Sequence, residues 1–295
     1  LNFGTAYNIT DRLTANVSFN FSKINGLGRY GSGYDANNLM TNFREWWQTN
    51  VDVLELKDAY FRTNRNTTWN WKRPSANDLT PIYWDNPYWT RYENYQTDSR
   101  YRYFGYASLS YKANDWLDFL ARVSLDSYDE LQEERIAIGS TLAGSAPSLY
   151  SRFNNSFREY NYDLLVNINK KITEELDLKG TVGVNIRRTD IESIRAKTNA
   201  GLNIPKFYAL SNSVSPIGAP VEKMSTLGVD GVFASATLGY KEFLFLDLTA
   251  RRDRASSLPS NQNAYFYPSA SAGFLFSKLI KDAPWISYGK FRANY

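Results

Sequence analysis

At residues 13–21 the chain reads LTANVSFNF, with apolar and polar side chains changing places at every step. Strict period-two alternation marks a strand with two unlike faces, because successive strand side chains point in opposite directions. Leu13, Ala15, Val17, Phe19 and Phe21 share one face there, and Thr14, Asn16, Ser18 and Asn20 the other. The pattern returns with Leu117, Phe119, Ala121, Val123 and Leu125 against Asp118, Arg122, Ser124 and Asp126. It returns again with Tyr160, Tyr162, Leu164, Val166 and Ile168 against Glu159, Asn161, Asp163 and Asn167. In a fourth segment Leu176, Leu178, Val182, Val184 and Ile186 oppose Asp177, Lys179, Asn185 and Arg187. About ten strands are predicted on this signal. They lie near 1–8, 13–25, 99–112, 115–131, 156–170, 175–193, 229–240, 242–256, 264–277 and 285–295.

Several of these exceed the roughly five or six residues usual in soluble sheets. Their connections alternate in length. Short turns (NITDR, KAND, KITEE, YKE and the longer KLIKDAP) take turns with long excursions at 26–98, 132–155 and 194–228. Rings flank the short turns: Tyr111 and Trp116, Tyr240 and Phe243, Phe276 and Trp285. A ring with a polar edge settles at the headgroup level, so an interfacial girdle accounts for this placement. A soluble β-sandwich alternates too, but long strands, unequal loops and ringed turns favour a membrane barrel.

No apolar run approaches the roughly 18 residues of a membrane helix. The mean hydropathy of −0.49 agrees with transmembrane strands, whose two faces average to a polar value. The 34 basic and 30 acidic residues leave a formal charge of only +4, which argues against a nucleic-acid partner. With no cysteine there are no disulfides or zinc-thiolate sites, and with no histidine there is no Ser-His-Asp triad. An open sheet in lipid would leave two unpaired backbone edges, so further strands are expected outside this sequence. The strand-like opening LNFGTAYNIT and the ending YGKFRANY both suggest an excerpt of something longer.

The excursion at 26–98 concentrates rings that could touch a substrate or a partner: Trp46, Trp47, Trp69, Trp71, Trp84, Tyr88, Trp89, Tyr92 and Tyr95. A ring face suits the apolar face of a sugar, yet rings also form the miniature core that a long loop needs. A short helix is predicted near 37–49, capped by Asn37 or Asn38, with Leu39, Phe43 and Trp46 on one face. Charges on the polar strand faces are candidates for lining a lumen: Arg122, Asp126, Asp163, Lys179, Arg187, Asp247, Arg251, Lys290 and Arg292. Carboxylate groups such as Asp126, Asp129 and Glu130, or Asp52, Glu55 and Asp58, recur, but spacing along a strand or loop is no evidence for the two opposed carboxylates of a glycosidase. Calcium is conceivable around Asp85 and Asn86, but no EF-hand spacing occurs. The NIT, NVS and NFS sequons fall on strands or a short turn and are chance matches. No catalytic residue, cofactor or metal is predicted.

Several segments resemble the SusC/RagA family of TonB-dependent outer-membrane transporters. They are WWQTNVDVLELKDAY (46–60), DNPYWTRYENY (85–95), QEERIAIGS (132–140), GLNIPKFYALSNS (201–213), the stretch 249–279, and WISYGKFRANY (285–295). The resemblance implies an all-β chain forming a single domain over 1–295. That domain would be part of a plugged antiparallel transmembrane barrel of about twenty-two strands, with long extracellular loops and short periplasmic turns. The plug, the TonB box and the closing strands would lie outside this sequence. One departure is local: Asp253-Arg254-Ala255-Ser256 stands where the family often has Asp-Trp-Ser-Ser or Asp-Gly-Ser-Ser, which makes this corner more basic. The implied function is import of oligosaccharides or peptides across the outer membrane. The implied partners are outer-membrane lipid, a SusD-like surface lipoprotein, and TonB acting through a region not in this sequence. The alternative is a SusC-like barrel that scaffolds a larger outer-membrane complex, its aromatic loop docking proteins.

Overall fold

A computed structural model describes residues 1–29, 33, 37–141, 147–280 and 285–295. Its centre is a ten-stranded antiparallel sheet whose spatial order follows the sequence. The strands are β1 (Asn2–Asn8), β2 (Leu13–Leu27), β3 (Tyr95–Asn114), β4 (Leu117–Ile136) and β5 (Leu149–Lys171). They continue with β6 (Leu176–Lys197), β7 (Val221–Tyr240), β8 (Leu244–Ala255), β9 (Ala264–Phe274) and β10 (Phe291–Asn294).

The strands run further towards the long connections than alternation indicates. β4 was expected to end near 131 and β5 to begin near 156; pairing in fact continues from Glu130↔Asn155 to Ile136↔Leu149. Past residue 127 both faces of β4 become mostly polar, with Tyr128 and Leu131 the exceptions before Ile136, so the period-two signal fades while the backbone ladder persists. The excursions expected at 132–155 and 194–228 shorten accordingly to 137–148 and 198–220. At the other end of the chain, the strand expected over 285–295 is confined to Phe291–Asn294. The last residues of the KLIKDAP turn, 281–284, lie outside the described residues.

Register fixes the two faces. Val123 lies opposite Ala107 and Tyr162, and Leu164 lies opposite Ala121 and Val184. Side chains paired in this way share a face, so the apolar set continues through Val232 and Ala250 to Ala270. Over β4 the apolar stretch from Leu117 to Leu125 covers about 26 Å of strand at about 3.3 Å per residue. With the usual barrel tilt that is about 20 Å of height, close to an outer-membrane apolar band once flanking rings are added. Leu164 is 62% exposed, Val182 53% and Val123 45%, so no second layer of the described chain covers this face. A sandwich would bury it.

Rings border the band on both sides. On the short-turn side Lys170 lies over Trp116, and Tyr240, Phe243 and Phe274 form a chain of edge contacts. On the other side Phe21 packs on Tyr103, and Tyr160 stacks on Tyr162. Gly105 sits inside the band where β2 and β3 approach closely; a Cβ there would collide with the Ser18 carbonyl.

The buried apolar residues gather at the long-connection end: Leu56, Tyr60, Trp89, Ile136, Ala137, Tyr150 and Leu202. Two helices organise the excursion between β2 and β3. α1 (Val53–Thr63) is capped by Asp52, which accepts from Leu54 N at 2.8 Å, and ends at Asn64 in the left-handed region. α2 (Pro87–Glu93) is capped by Asn86, which accepts from Tyr88 N at 2.8 Å, with Pro87 in its first turn. The helix expected over 37–49 is reduced to the turn Leu39–Thr41 followed by a π-helical stretch, Asn42–Trp46. Its apolar spacing matched a helix, but Trp46 stacks outward on Trp84 at 5.9 Å.

Candidate functional site

Three long connections join at one end of the sheet, and a polar knot binds the first two. Asp85 is 1% exposed, and its carboxylate accepts from Asn66 Nδ2 at 2.8 Å and Asn94 Nδ2 at 3.3 Å. It also accepts from the backbone N and the Oγ1 of Thr141, at 2.8 and 2.7 Å. Asn94 Oδ1 in turn accepts from Ala137 N and Ser140 Oγ, and Trp89 Nε1 donates to Ser140 Oγ at 2.8 Å. Gly139 beneath the Trp89 ring has φ +100°, a conformation that favours glycine. Burial pushes the Asp85 carboxyl above its ordinary value despite these four donors. Both carboxylate oxygens face hydrogen-bond donors, which is no setting for a cation, so the calcium considered at Asp85 and Asn86 finds no ligand set there. Asn86, fully buried, donates instead to the carbonyls of Leu56 and Thr67. No cluster of three or more carboxylates that could hold a metal occurs among the described residues.

The third connection is tied in through Glu93. Its carboxylate accepts from Tyr60 Oη at 3.0 Å and pairs with Lys206 Nζ at 3.3 Å, while Leu202 N donates to the buried Ser148 Oγ. Burial, helped by the Glu93 hydrogen bond and charge, pushes the Tyr60 phenol up to about 12. Burial likewise takes Tyr208 to about 12. Beneath the loops Arg135 lies over the rings of Tyr95, Tyr150 and Tyr208, at 5.0, 5.9 and 5.8 Å, and pairs with Glu133 at 2.8 Å. The alternation pattern contained no trace of this knot, because the residues converge from separate connections.

The rings proposed from sequence therefore divide. Trp89 is buried, and Tyr88 packs against the cluster of Tyr60, Trp89 and Ala137. Tyr95 belongs to the arginine cage. Trp47 packs on Phe43 and donates to the Val51 carbonyl, and Trp84 stacks on Trp46. Trp69 is half-buried. Trp46, Trp71 and Tyr92 keep exposed faces, and Tyr92 stacks on Tyr60 at 5.8 Å. Sequence reasoning missed Phe61 and Tyr83, which are exposed on the same assembly.

The charged candidates fall on the sheet face opposite the apolar band, all but Lys290 within strands. Arg122 pairs with the buried Asp163 at 2.8 Å, and Asn185 donates to the same carboxylate at 2.7 Å, linking β4, β5 and β6. Asp126 pairs with Arg102, Asp247 accepts from Thr237 at 2.6 Å, and Arg251 pairs with Asp253. Lys179 and Arg187 lie on the same face of β6, opposite Thr237 and Val229, and Arg292 lies opposite Gly273. Lys290 sits just before β10 with its ammonium 5.8 Å from the Phe245 ring. Arg100 and Arg102 belong to this face as well, obscured in the sequence because rings occupy both faces of β3. At its long-connection end this face carries a groove of about 420 Å³ lined by Gln96, Glu130, Glu134, Ser151 and Arg195 among others.

No protein-family model and no curated protein matches the chain. Among solved structures, the RagAB peptide transporter aligns over 99% of the chain with a TM-score of 0.74 and 15% identity. The RagAB peptide importer in its open-open state aligns with a TM-score of 0.73, and in its closed-closed state with 0.72. The chain folds as a segment of a transmembrane β-barrel of this kind. It spans about a third of the RagAB chain, 32% in the first alignment. The match is one of fold, and it agrees with the SusC/RagA resemblance seen in the loop and strand motifs.

Proposed function

We propose that this chain is the central wall of an outer-membrane importer that takes up peptides or oligosaccharides with a SusD-like lipoprotein and energy delivered through TonB. The supporting observation is the division of labour within one sheet. One face is apolar, exposed and bordered by rings; the other is charged and internally paired; and the loops at one end are locked into a single platform. In this reading the apolar face meets lipid, the charged face lines the lumen, and the platform stands outside the cell, where a lipoprotein lid can rest on it. Of the two substrate classes, peptide is favoured. The groove at the top of the charged face carries carboxylates, amides and a guanidinium, which suit the main chain and charged ends of a peptide. The similar fold belongs to a peptide transporter.

The test is uptake of labelled peptides and labelled oligosaccharides by cells with and without the full-length protein, each with TonB present or absent. TonB-dependent accumulation of peptide supports the proposal. The same result with oligosaccharide alone moves the substrate class. No TonB-dependent difference for either refutes transport and leaves the scaffold role, for which the exposed Trp46, Trp71, Tyr83 and Tyr92 provide a docking surface.

A further inference from the structure

Several arginines on the charged face already hold a carboxylate: Arg100 pairs with Glu130, Arg102 with Asp126, Arg122 with Asp163 and Arg251 with Asp253. At the long-connection end of β6 and β7 the pattern changes. Arg195 and Lys197 are successive residues on this face of β6, and Lys223 on β7 stands diagonal to Arg195, which is itself opposite Val221. Successive same-face residues are about 6.6 Å apart along a strand, and diagonal neighbours about 7–8 Å. All three side chains are exposed, and none makes an ion pair or side-chain hydrogen bond among the described residues. Like charges this close repel, so the corner is unfavourable until an anion enters it. Arg195 is also held in place: its guanidinium lies 4.5 Å from the ring of Phe153, its register partner on β5. Contact with an apolar ring uses none of the guanidinium's hydrogen-bond donors, so they remain available to grip a carboxylate with two parallel bonds.

The groove at the top of this face runs from the basic corner across Ser151 to β4. A second hollow of about 530 Å³ shares Glu134, Ser151 and Arg195 with it and adds Lys197, so the two are continuous. In register, Glu134 and Lys197 stand on either side of Ser151. Glu134 makes no ion pair or side-chain hydrogen bond among the described residues. Gln96, opposite it on β3, has a buried Oε1 that accepts no hydrogen bond among those residues. From Arg195 to Glu134 is two strands across and two residues along, about 12 Å. An extended chain covers that distance in three or four residues at about 3.5 Å each. One rim of the groove lacks an anion and the other lacks donors, at the separation of a short peptide's two ends.

We propose that this corner seats the free α-carboxylate of a short peptide, with Arg195 as the principal contact and Lys197 and Lys223 at its sides. The peptide main chain then crosses Ser151 and presents its amino end and N–H groups to Glu134 and Gln96. A phosphate or an acidic sugar satisfies the basic corner but places no ammonium at the unpaired Glu134. The seat presupposes the importer proposed above and adds which end of the peptide is held.

The experiment is isothermal titration calorimetry of the detergent-purified full-length protein with trialanine, its C-terminal amide, and acetate. Wild type should bind trialanine about tenfold or more tighter than the amide, the scale of one hydrogen-bonded charge. Arg195→Gln should remove that discrimination by weakening trialanine alone, and Arg195→Lys should keep part of it. Heat-modifiable migration on gels checks that each variant is folded. Equal binding of trialanine and its amide by wild type overturns the proposal and leaves the importer to its own uptake test. Equal weakening of both peptides in Arg195→Gln also overturns it, by showing that the arginine merely shapes the groove. Acetate binding as tightly as trialanine overturns it by showing an anion site without peptide recognition. Binding of neither peptide overturns it as well: if labelled peptide still enters cells through TonB, the seat alone fails, and if it does not, the importer fails with it.

Discussion

Replacing Asp85 with alanine should release the first two long connections from each other while leaving the sheet intact. Four donors point at this carboxylate, but they are not equally stranded by its loss. Asn66 Nδ2 keeps its bond to the Gly139 carbonyl at 2.9 Å, and Thr141 Oγ1 keeps a longer contact with the Tyr83 carbonyl at 3.3 Å. Among the described residues, Thr141 N and Asn94 Nδ2 have no such substitute. Two stranded buried donors at about 1–3 kcal/mol each, less the relief of no longer burying a charge, give about 2–4 kcal/mol of lost loop stability. Hydrogen exchange read by mass spectrometry on the full-length protein should then show faster exchange, by about 30- to 1,000-fold, at amides 137–141 and 86–94. Strand amides such as those of β5 should be unchanged. The pH dependence has a definite sign. Burial raises the folded pKa of this carboxyl above its unfolded value of about 3.9, so ionisation opposes the closed latch. Intrinsic-rate-corrected protection should therefore increase as pH falls through the raised pKa towards about 3.9, and this dependence should vanish in Asp85→Asn. Unchanged exchange at 137–141 in Asp85→Ala would refute the latch.

Three shorter predictions bear on the sheet and the helix pair. Val123→Arg, in the middle of the apolar band, should disturb assembly by about 2–4 kcal/mol, seen as loss of the heat-modifiable gel form. Ser124→Arg, on the other face, should matter far less. Gly105→Ala should weaken β2–β3 pairing, because its Cβ meets backbone rather than a movable side chain; a lower unfolding temperature, with Gly4→Ala as the mild control, is the readout. Tyr60 should ionise near pH 12, so the Tyr60→Phe difference in tyrosinate absorbance should appear there and be absent at pH 10. The sign follows from its raised pKa: the stability that Tyr60 contributes is complete below about pH 10 and is lost as pH rises through about 12.

The strands were legible from sequence wherever one face meets an apolar medium and the other a polar one, as in Leu117 to Leu125. They became illegible where both faces turn mostly polar, as between Ser127 and Arg135, although twenty residues of β4 are paired. The helices carried unused local signals. Asp52 followed by Glu55 three residues later marks a capped helix start, and Asn86-Pro87 marks another. The charged wall was visible because parity alone assigns Arg122, Asp163 and Lys179 to one face. The latch was not, because Asp85, Asn94 and Thr141 meet only once three-dimensional pairing has brought two connections together.

The arrangement of the latch also decides what the rings are for. A long loop exposed to water can be held by an apolar core, but that core uses up the ring faces a ligand would touch. Here much of the fastening is polar: Asp85, Asn86 and Asn94 are all at most 1% exposed, and the compact apolar centre is Tyr60, Trp89 and Ala137 with Tyr88 against it. With part of the order supplied by polar contacts, Trp71 and Tyr83 stay exposed on the platform, and Trp46 and Tyr92, stacked on Trp84 and Tyr60, remain partly exposed there. An unlatched loop would let those same rings collapse together. Opening the latch should therefore abolish ligand or partner binding at the platform before it affects the barrel. Asp85→Ala and Trp71→Ala should accordingly fail in the same binding assay, while only Asp85→Ala alters exchange at 137–141.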